Sequence, residues 1–366
     1  MKNIDMETLR SWLATGNPVT VLDVRPAAER EEWAIPSSLH VDAYADLKQH
    51  NPHALDNVSL PRHVPVVTVC GAGRTSQTAA VLLQSKGIEA YSLAGGMRAW
   101  SLAWNVAEVP LPDSSVQIIQ IRRTGKGCLS YLIGSEEEAA VIDAALAPEI
   151  YRNLARARGW RITAVLDTHV HADHFSRSRA LAERRYATLY LPRQERVTFP
   201  FTPLDDGATL QIGTARLTAL RTPGHTLEST CYLLNQQALF SGDTLFLQGV
   251  GRPDLHVNSE ESRTRAHLLY QSLQRIGALP EDALLLPGHT STPIPFDQKP
   301  LTARLAEVWA SIALLRLPEP DFIETLLARI PPLPPNHQRI TEHNESGNLP
   351  ENLIEWEAGA NRCAIT

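Results

Sequence analysis

The sequence lacks three features that would assign a protein to a class at once. Its 366 residues contain only four cysteines without regular spacing, which excludes a disulfide framework and indicates a reducing compartment. No apolar run approaches the ~18 residues of a membrane span, and the N-terminal segment MKNIDMETLRSWLATG lacks the apolar core of a signal peptide. We therefore expect a cytoplasmic protein.

Blocks of like charge are also absent. The 34 Lys and Arg residues oppose 40 Asp and Glu residues, and the formal net charge is -6. Without a basic block, nucleic acid and membrane surfaces are not expected partners. Hydrophobic residues make up 43% and charged residues 20% of the chain, which is ordinary globular usage and excludes collagen-like and disordered classes.

The length accommodates two domains and an extension. The first ~107 residues alternate short apolar runs with helical patterns, which predicts a small α/β domain with a mostly parallel sheet. The segment EVPLPDSS has two prolines and no periodicity, as linkers do. Strand patterns dominate after it, and helical patterns follow Pro300. We predict a first domain at 1–108, a linker at 109–115, a second domain at 116–300 and a helical C-terminal extension at 301–366.

Histidine and aspartate residues cluster where apolar runs end. The segment THVHADH at 168–174 follows the apolar run 162–166, and three further segments, TPGH, SGD and PGH, place glycine before a ligand-type residue. Glycine lets the backbone turn sharply, so that the next side chain can point into a shared site. Imidazole suits zinc and iron, and carboxylate shifts the preference toward harder ions. The candidate ligands are His169, His171, Asp173, His174, His225, Asp243 and His289.

Cys70 is a candidate nucleophile because it follows the apolar run 65–69 and precedes a predicted helix. A thiol at a helix N-terminus, beside loop amides and Arg74, loses its proton readily. The same loop would stabilise a persulfide anion or a sulfonate. The candidate substrate-binding residues are Gly71, Ala72, Gly73, Arg74, Thr75 and Ser76. The other cysteines, Cys128, Cys231 and Cys363, are interpreted as small buried hydrophobic residues.

The HxHxDH motif with the later His, Asp and His resembles the metallo-β-lactamase superfamily over about 116–295, which implies an αβ/βα sandwich with metal at the sheet edges. Within it, GCLSY (127–131), TPGHTLES (222–229) and GVGRPDL (249–255) resemble the persulfide dioxygenase branch. This resemblance implies one Fe(II) per domain, held by His169, His225 and Asp243, with open positions for O2 and a persulfide sulfur.

The resemblance gives the remaining candidate ligands a supporting role. It implies that they orient the metal ligands and bound water; in a binuclear zinc enzyme they would hold a second metal instead. These residues are His171, Asp173, His174 and His289. Arg252, in GRPDL, is a candidate to bind a carboxylate or phosphate of a thiol carrier, or it forms an ordinary loop salt bridge.

Residues 3–108 resemble a rhodanese domain. The matching segments are LDVR (22–25), EWAIP (32–36), CGAGRTS (70–76) and LAGGMRAW (93–100). Arg74 stands one place earlier than the arginine of many rhodanese loops, whereas Asp23 and Arg25 are interpreted as a structural pair. The resemblance implies that Cys70 carries sulfane sulfur as a cysteine persulfide.

Together the resemblances imply a bifunctional enzyme. It would oxidise a thiol persulfide, such as glutathione persulfide, with O2 to sulfite and thiol, and transfer sulfane sulfur through Cys70 with thiosulfate or sulfite as partner. Two alternatives stay open: a binuclear zinc thioester hydrolase resembling glyoxalase II with a regulatory rhodanese domain, and a non-enzymatic persulfide sensor or sulfur-relay adaptor. We expect a homodimer.

Overall fold

The computed structural model describes residues 2–112, 115–183, 187–357, 359 and 362–365. Its first sheet has five parallel strands in the order β1-β5-β4-β2-β3. The elements are β1 (Asn3–Ile4), α1 (Met6–Thr15), β2 (Thr20–Asp23), α2 (Ala27–Glu32), β3 (Leu39–His40), α3 (Tyr44–Lys48), β4 (Val66–Val69), α4 (Thr75–Ser85), β5 (Ala90–Leu93) and α5 (Gly96–Trp100). Val66 packs with Leu83 of α4, and its neighbour Val67 packs with Leu9 of α1. The sheet is therefore buried on both faces, as parallel sheets are.

Two further sheets follow. A seven-stranded sheet has the order β12-β11-β10-β9-β8-β7-β6, and a six-stranded sheet has the order β13-β14-β15-β16-β18-β19. The strands of the first are β6 (Asn105–Val109), β7 (Val116–Arg123), β8 (Cys128–Ser135), β9 (Glu138–Ile142), β10 (Arg161–Leu166), β11 (Thr188–Pro192) and β12 (Thr202–Leu204). Those of the second are β13 (Thr209–Ile212), β14 (Ala215–Arg221), β15 (Thr230–Leu234), β16 (Ala238–Gly242), β18 (Leu284–Pro287) and β19 (Ala303–Arg304), and the short β17 (Val250–Gly251) lies apart from them.

The two sheets pack face to face over one apolar core, in which the rings of Tyr131 and Phe240 stand 4.9 Å apart. Helices α6 (Pro148–Arg156) and α7 (Ser178–Ala182) cover the outer face of the seven-stranded sheet. Helix α8 (Ser259–Gly277), which begins with a capping box at Asn258, covers the outer face of the other. The expected fold class is confirmed: a parallel sheet flanked by helices, an αβ/βα sandwich and C-terminal helices.

Strand β6 differs from the sequence interpretation. It pairs antiparallel with β7 as the edge of the seven-stranded sheet, so the predicted boundary at 108 falls inside a strand. The two strands are joined across the segment predicted as a linker, of which Asp113 and Ser114 lie outside the described residues. The sequence pattern did not predict β6, because the strand forms by pairing with β7, which lies beyond the predicted linker.

The C-terminal extension returns to the sandwich. It contains β19, α9 (Leu305–Ser311), a 3-10 turn (Ala313–Arg316), α10 (Glu319–Ala328), α11 (His337–Ser346), α12 (Leu353–Glu357) and β20 (Ala364–Ile365). Helices α9 and α10 pack beside α8, and β20 pairs with β17. In the described part of the chain, no helix combines the length and apolar composition that a bilayer span requires.

A buried ion-pair network joins the extension to both halves of the molecule. The Glu357 carboxylate lies 2.8 Å from Arg123 and 3.2 Å from Arg177, and it accepts a 2.7 Å hydrogen bond from the Phe175 amide. Arg123 also donates to the Ser101 carbonyl, just after α5, at 2.7 Å. Glu357 therefore ties the C-terminus to the loop after β10 and, through Arg123, to the N-terminal unit.

We predict that Glu357→Ala lowers the free energy of unfolding by about 3–5 kcal/mol, because it leaves buried arginines without their counter-charge. Burial alone would raise the pKa of Glu357, but Arg123 and Arg177 lower it to about 2. The stabilisation is thus present above the ordinary carboxyl pKa and is lost as the pH falls toward 2. Urea unfolding at several pH values measures both effects.

The matched control is Glu355→Ala, which removes an exposed pair with Arg98 and should cost less than about 1 kcal/mol. Equal losses for the two variants would contradict the network.

Candidate metal centre and cysteine site

Three buried side chains converge where strands of the two sheets end. His169 follows β10, His225 lies between β14 and β15, and Asp243 directly follows β16. His169 Nε2 and His225 Nε2 lie 3.8 and 3.6 Å from Asp243 Oδ2, too far for hydrogen bonds. None of the three atoms has a hydrogen-bond partner among the described residues. Buried polar atoms rarely stay unsatisfied, so these donors fit a metal ion that all three would share.

The other ring nitrogens set the tautomers that such a metal needs. His225 Nδ1 lies 2.8 Å from the Arg252 carbonyl oxygen, which only accepts, so Nδ1 carries the proton. The Thr168 hydroxyl donates its proton to Asp143 at 2.9 Å. The same hydroxyl oxygen lies 2.9 Å from His169 Nδ1 and can therefore only accept there, so Nδ1 of His169 carries the proton. Both Nε2 atoms are therefore left with a lone pair directed at the shared position.

Burial and charge keep this triad in its metal-binding protonation state. Burial lowers the pKa of both His169 and His225, and the charge of His171 lowers that of His169 further. Burial alone would raise the pKa of Asp243, but His289 and the other imidazoles hold it below its usual value. Near neutral pH the site thus offers two neutral imidazoles and one carboxylate.

Close packing and hydrogen bonds fix the loop that carries Asp243 and the neighbouring histidine loop. Gly242 has φ +50°, and a Cβ there would lie 2.5 Å from Thr168 Oγ1, so only glycine fits beside the histidine loop. The Val170 amide donates to buried Glu228 at 3.2 Å, and Asn344 of α11 donates to the carbonyls of His171 and His174 at 2.8 Å. The C-terminal extension therefore helps to hold the histidine loop.

A second set of donors lies beside the triad. Asp173, His174 and His289 were expected there, and the structure adds Cys128, whose Sγ donates to Asp173 Oδ2 at 3.4 Å. His174 Nδ1 lies 3.0 Å from Asp173, and His289 lies 2.5 Å from Asp243 and 2.8 Å from Asp173. This set is therefore partly occupied by its own contacts, and His174 Nε2 and His289 Nε2 have no hydrogen-bond partner among the described residues.

Charge within the second set keeps protons on its histidines. Burial alone would lower the pKa of His174, but the Asp173 carboxylate raises it. The pKa of His289 is likewise raised, against burial, by Asp173 and Asp243. Burial and Asp173 would raise the pKa of the Cys128 thiol, but His174 and His289 bring it down to about 7. A second metal would have to displace these protons.

His171 forms a third, smaller group. Its Nε2 lies 3.1 Å from Asp143 Oδ1 and 4.0 Å from Asp167, and Asp143 also accepts from the Thr168 amide at 2.7 Å. His171 thus connects to His169 through Asp143 and Thr168, as expected of a residue that orients a ligand.

The prediction that Arg252 binds substrate is wrong. Its side chain is fully buried and pairs with Asp254 at 2.7 Å. The guanidinium also donates to carbonyls of the C-terminal extension at Pro331, Pro332 and Arg362. With its donors so engaged, Arg252 fastens the extension and, through its own carbonyl, orients His225.

The cysteine site lies at the carboxyl edge of the first sheet. Cys70 follows β4, and its Sγ lies 3.3 Å from the Ser76 hydroxyl, which contacts Ser92 at 2.9 Å. The Cys70 and Gly71 carbonyls accept hydrogen bonds from the Met97 and Arg98 amides, which ties the cysteine loop to α5.

A cavity of about 660 Å³ opens above Cys70. Four of the six predicted binding residues line it, and Gly73 and Ser76 lie behind it; the lining four are Gly71, Ala72, Arg74 and Thr75. Arg74 is exposed and has no ion-pair partner among the described residues. Asp23 and Arg25 form a buried 2.7 Å pair, in line with a structural role.

Several residues near the metal centre were not singled out from the sequence. Cys128 and Cys363 were interpreted as hydrophobic, yet Cys128 joins the second set and Cys363 lies beside Asp243 and His289. None of the four cysteines, all of which are described, is in a disulfide. Asp143 could have been found, because it ends an apolar run as the other ligands do.

Comparison with known proteins agrees with this geometry. The metallo-beta-lactamase superfamily model matches residues 123–289, and the rhodanese-like domain model matches residues 5–103. A hydroxyacylglutathione hydrolase of Rhodopseudomonas palustris (strain BisB18) is 33% identical over 215 residues, which are 55% of this chain and 79% of that protein. The chain belongs to the metallo-beta-lactamase superfamily. It carries a rhodanese-like domain before the superfamily domain.

This chain covers different shares of other similar proteins. A hydroxyacylglutathione hydrolase of Pseudomonas entomophila (strain L48) is 34% identical over 161 residues, 43% of this chain and 59% of that protein. Among solved structures, a metallo-beta-lactamase from Staphylococcus aureus subsp. aureus COL has TM-score 0.60 and 26% identity, over 66% of this chain and 75% of that one. ETHE1 from Myxococcus xanthus has TM-score 0.54 and 27% identity, over 67% of this chain and all of that one.

We predict that His225→Ala weakens metal binding by more than the roughly 10–100-fold typical of an outer-shell substitution, because it removes one of three donors. Added Fe(II) or Zn(II) should raise the melting temperature of the wild-type chain and leave that of His225→Ala unchanged. His267→Ala, which changes an exposed histidine on α8, is the control and should behave as wild type. Equal metal-induced shifts in all three proteins would rule out the triad as the binding site.

Proposed function

We propose that this chain is a bifunctional sulfur-metabolising enzyme: an Fe(II)-dependent persulfide dioxygenase joined to a rhodanese-type sulfurtransferase. The substrates would be a thiol persulfide and O2 at the metal domain, and sulfane-sulfur compounds at Cys70. The overall oxidation is RSSH + O2 + H2O → RSH + sulfite + two protons, in which the outer sulfur is oxidised, O2 is reduced and the carrier thiol is returned.

The observation that carries the proposal is the unpartnered triad. Two imidazoles and one carboxylate, on different loops, direct lone pairs at one position. Bound there, Fe(II) would supply open coordination positions at which O2 and a sulfur ligand can react. The chain's own contribution is to hold His169 through Thr168 and His225 through the Arg252 carbonyl.

The second donor set supports one metal in preference to two. His174 contacts Asp173, His289 contacts both Asp173 and Asp243, and these carboxylates raise the pKa of both imidazoles. In this state His289 ties Asp243 Oδ1 in place, so that Oδ2 faces the triad position. Carboxylates thus already engage Nδ1 of both imidazoles where a binuclear enzyme would hold its second ion, whereas their Nε2 atoms have no hydrogen-bond partner among the described residues.

At the cysteine site the chemistry is group transfer. The Cys70 thiolate attacks the outer sulfur of a sulfane donor such as thiosulfate; a bond from Sγ to that sulfur forms, the old S–S bond breaks, and sulfite leaves with the electron pair. Residues of the loop and of the start of α4 (Thr75–Ser85) line the cavity beside Cys70, where their amides would stabilise this anionic centre. An acceptor thiolate then takes the same sulfur and releases Cys70, with no net redox change.

Both sites in one chain would share a carrier. The two units meet at the turn between β7 and β8, where Trp33 donates to the Thr124 carbonyl at 3.1 Å and the Gly125 amide donates to Ala103 at 3.2 Å. A thiol persulfide made at Cys70 is the substrate of the metal domain, so the fusion raises its local concentration.

A second candidate is a binuclear zinc thioester hydrolase. It is favoured by the name of the matched relatives, hydroxyacylglutathione hydrolase, and by the four donors Cys128, Asp173, His174 and His289, which a second zinc ion could use after losing their protons.

The test uses oxygen consumption by the Fe(II)-loaded chain with glutathione persulfide. We predict that the wild-type chain takes up one O2 per sulfite formed. Asp243→Ala should lose more than about 99% of that rate, since a triad ligand is lost. Cys70→Ser should keep normal O2 uptake. Thiosulfate-dependent sulfur transfer should show the reverse pattern. Thioester cleavage by a two-zinc form without persulfide-dependent O2 uptake would contradict the proposal, and a sensor or relay adaptor would show no Asp243-dependent turnover.

A further inference from the structure

The thiol of Cys363 lies at the metal centre, although the residue belongs to the end of the C-terminal extension. Its Sγ, a carboxylate oxygen of Asp243 and a ring nitrogen of His289 all lie within 4.8 Å of one another, and the residue is 1% exposed. Asp243 Oδ2 and His289 Nε2 have no hydrogen-bond partner among the described residues. Because buried polar atoms rarely stay unsatisfied, the residues around this sulfur are arranged for a ligand.

Backbone contacts hold Cys363 in this position. Its carbonyl accepts a 3.1 Å hydrogen bond from the Arg252 amide, and the Arg252 guanidinium donates to the Arg362 carbonyl at 3.2 Å. The next two residues form β20, which pairs with β17. Strand β17 lies directly against the metal ligands, since a Cβ on Gly251 would lie 1.9 Å from the Asp243 carbonyl oxygen. The extension therefore presents the Cys363 thiol at a fixed place beside Asp243.

The surroundings of Cys363 differ from those of a cysteine that only fills the core. Ile365, two residues later, packs in the apolar core beside α8, and Cys231 packs in the same core. A buried cysteine that serves as a small hydrophobic residue has such neighbours. Cys363 instead lies next to a carboxylate and an imidazole, where a thiol can act as a nucleophile.

The cavities at the metal centre are small. One of about 240 Å³ is lined by His169 and His171, and one of about 100 Å³ is lined by His289 and by Ala364, the residue after Cys363. Both fall below the roughly 300–1,000 Å³ of pockets that enclose drug-sized ligands. They have room for the –S–SH end of a persulfide, whereas the body of its carrier stays largely outside.

We propose that Cys363 is the sulfur-accepting residue of the metal domain, so that the persulfide oxidised there is the chain's own Cys363–S–SH. The inference rests on the proposed dioxygenase function and names the form in which its substrate is held. A persulfide extends the side chain by one S–S bond of about 2.05 Å. The sulfur to be oxidised is then one bond beyond Sγ, in the neighbourhood of the triad ligand Asp243.

The proposal consists of two balanced steps. In the first, the Cys363 sulfur attacks the outer sulfur of a donor persulfide R–S–SH. A new S–S bond forms, the donor's S–S bond breaks, and the carrier sulfur leaves with the electron pair and takes up the Cys363 proton as RSH. Burial, and then Asp243, raise the pKa of this thiol, so the proton is present when the donor arrives. In the second step Cys363–S–SH, O2 and H2O give the Cys363 thiol, sulfite and two protons; the outer sulfur is oxidised and O2 is reduced.

The loading test uses the Fe(II)-loaded Cys70→Ser chain, which is treated anaerobically with glutathione persulfide and freed of small molecules by gel filtration. Unfolding, alkylation with iodoacetamide and peptide mass spectrometry follow. We expect one additional sulfur atom on Cys363 and none on Cys231, which is equally buried but lies in the apolar core. Admission of O2 before unfolding should remove this sulfur and release one sulfite per chain. Asp243→Ala in the same background should load Cys363 and keep the sulfur in O2.

The kinetic test compares Cys363→Ser with Cys231→Ala. Cys363→Ser should lower kcat for persulfide-dependent O2 uptake at least about tenfold, because serine cannot carry the sulfur. It should keep the metal-induced rise in melting temperature, because all three triad ligands remain. Cys231→Ala should behave as wild type in both measurements.

The outcomes separate this inference from the proposed function. An additional sulfur on Cys128 instead of Cys363, or wild-type O2 uptake in Cys363→Ser, would overturn the inference and leave the dioxygenase standing. Loss of the metal-induced rise in a Cys363→Ser chain that still unfolds cooperatively would make Cys363 a metal ligand and would also overturn it. Loading of Cys363 in the wild-type triad without oxidation by O2 would support the sulfur-accepting residue and contradict the proposed dioxygenase function.

Discussion

The structure depends most on three buried atoms that have no hydrogen-bond partner in the described part of the chain: His169 Nε2, His225 Nε2 and Asp243 Oδ2. Their burial without partners is costly unless a cation is shared among them. Much of the surrounding architecture serves this arrangement, since Thr168, Asp143 and the Arg252 carbonyl fix the tautomers and His289 fixes the carboxylate. These contacts direct the lone pairs of the three side chains at one position.

The residues around the triad are connected to the C-terminal extension and to the N-terminal unit. Asn344 and Glu357 of the C-terminal extension bond to the histidine loop, and Arg123 carries the Glu357 network on to Ser101 of the N-terminal unit. The β7–β8 turn therefore stands between the two chemical sites: Gly125 lines the cavity of Cys70, and Cys128, three residues later, contacts Asp173.

The sequence was enough to predict both architectures and the grouping of the metal donors, because each donor follows an apolar run and strands of one sheet end at a common edge. The sequence does not show which distant residues will supply the hydrogen-bond partners of a buried polar side chain. Arg252 looked like a substrate ligand because the carbonyls that bind it come from residues about 80 and 110 positions later. Cys128 begins a strand whose pattern indicates only core, and no local pattern shows that Glu357 accepts from the Phe175 amide or that Cys363 lies beside Asp243.

The central claim is that this triad binds a single metal ion. Anomalous diffraction at the iron edge, from crystals of the Fe(II)-reconstituted chain, tests it most directly. We expect one peak, bounded by His169, His225 and Asp243. A second peak of equal height among Cys128, Asp173, His174 and His289 would contradict it and would favour a binuclear centre.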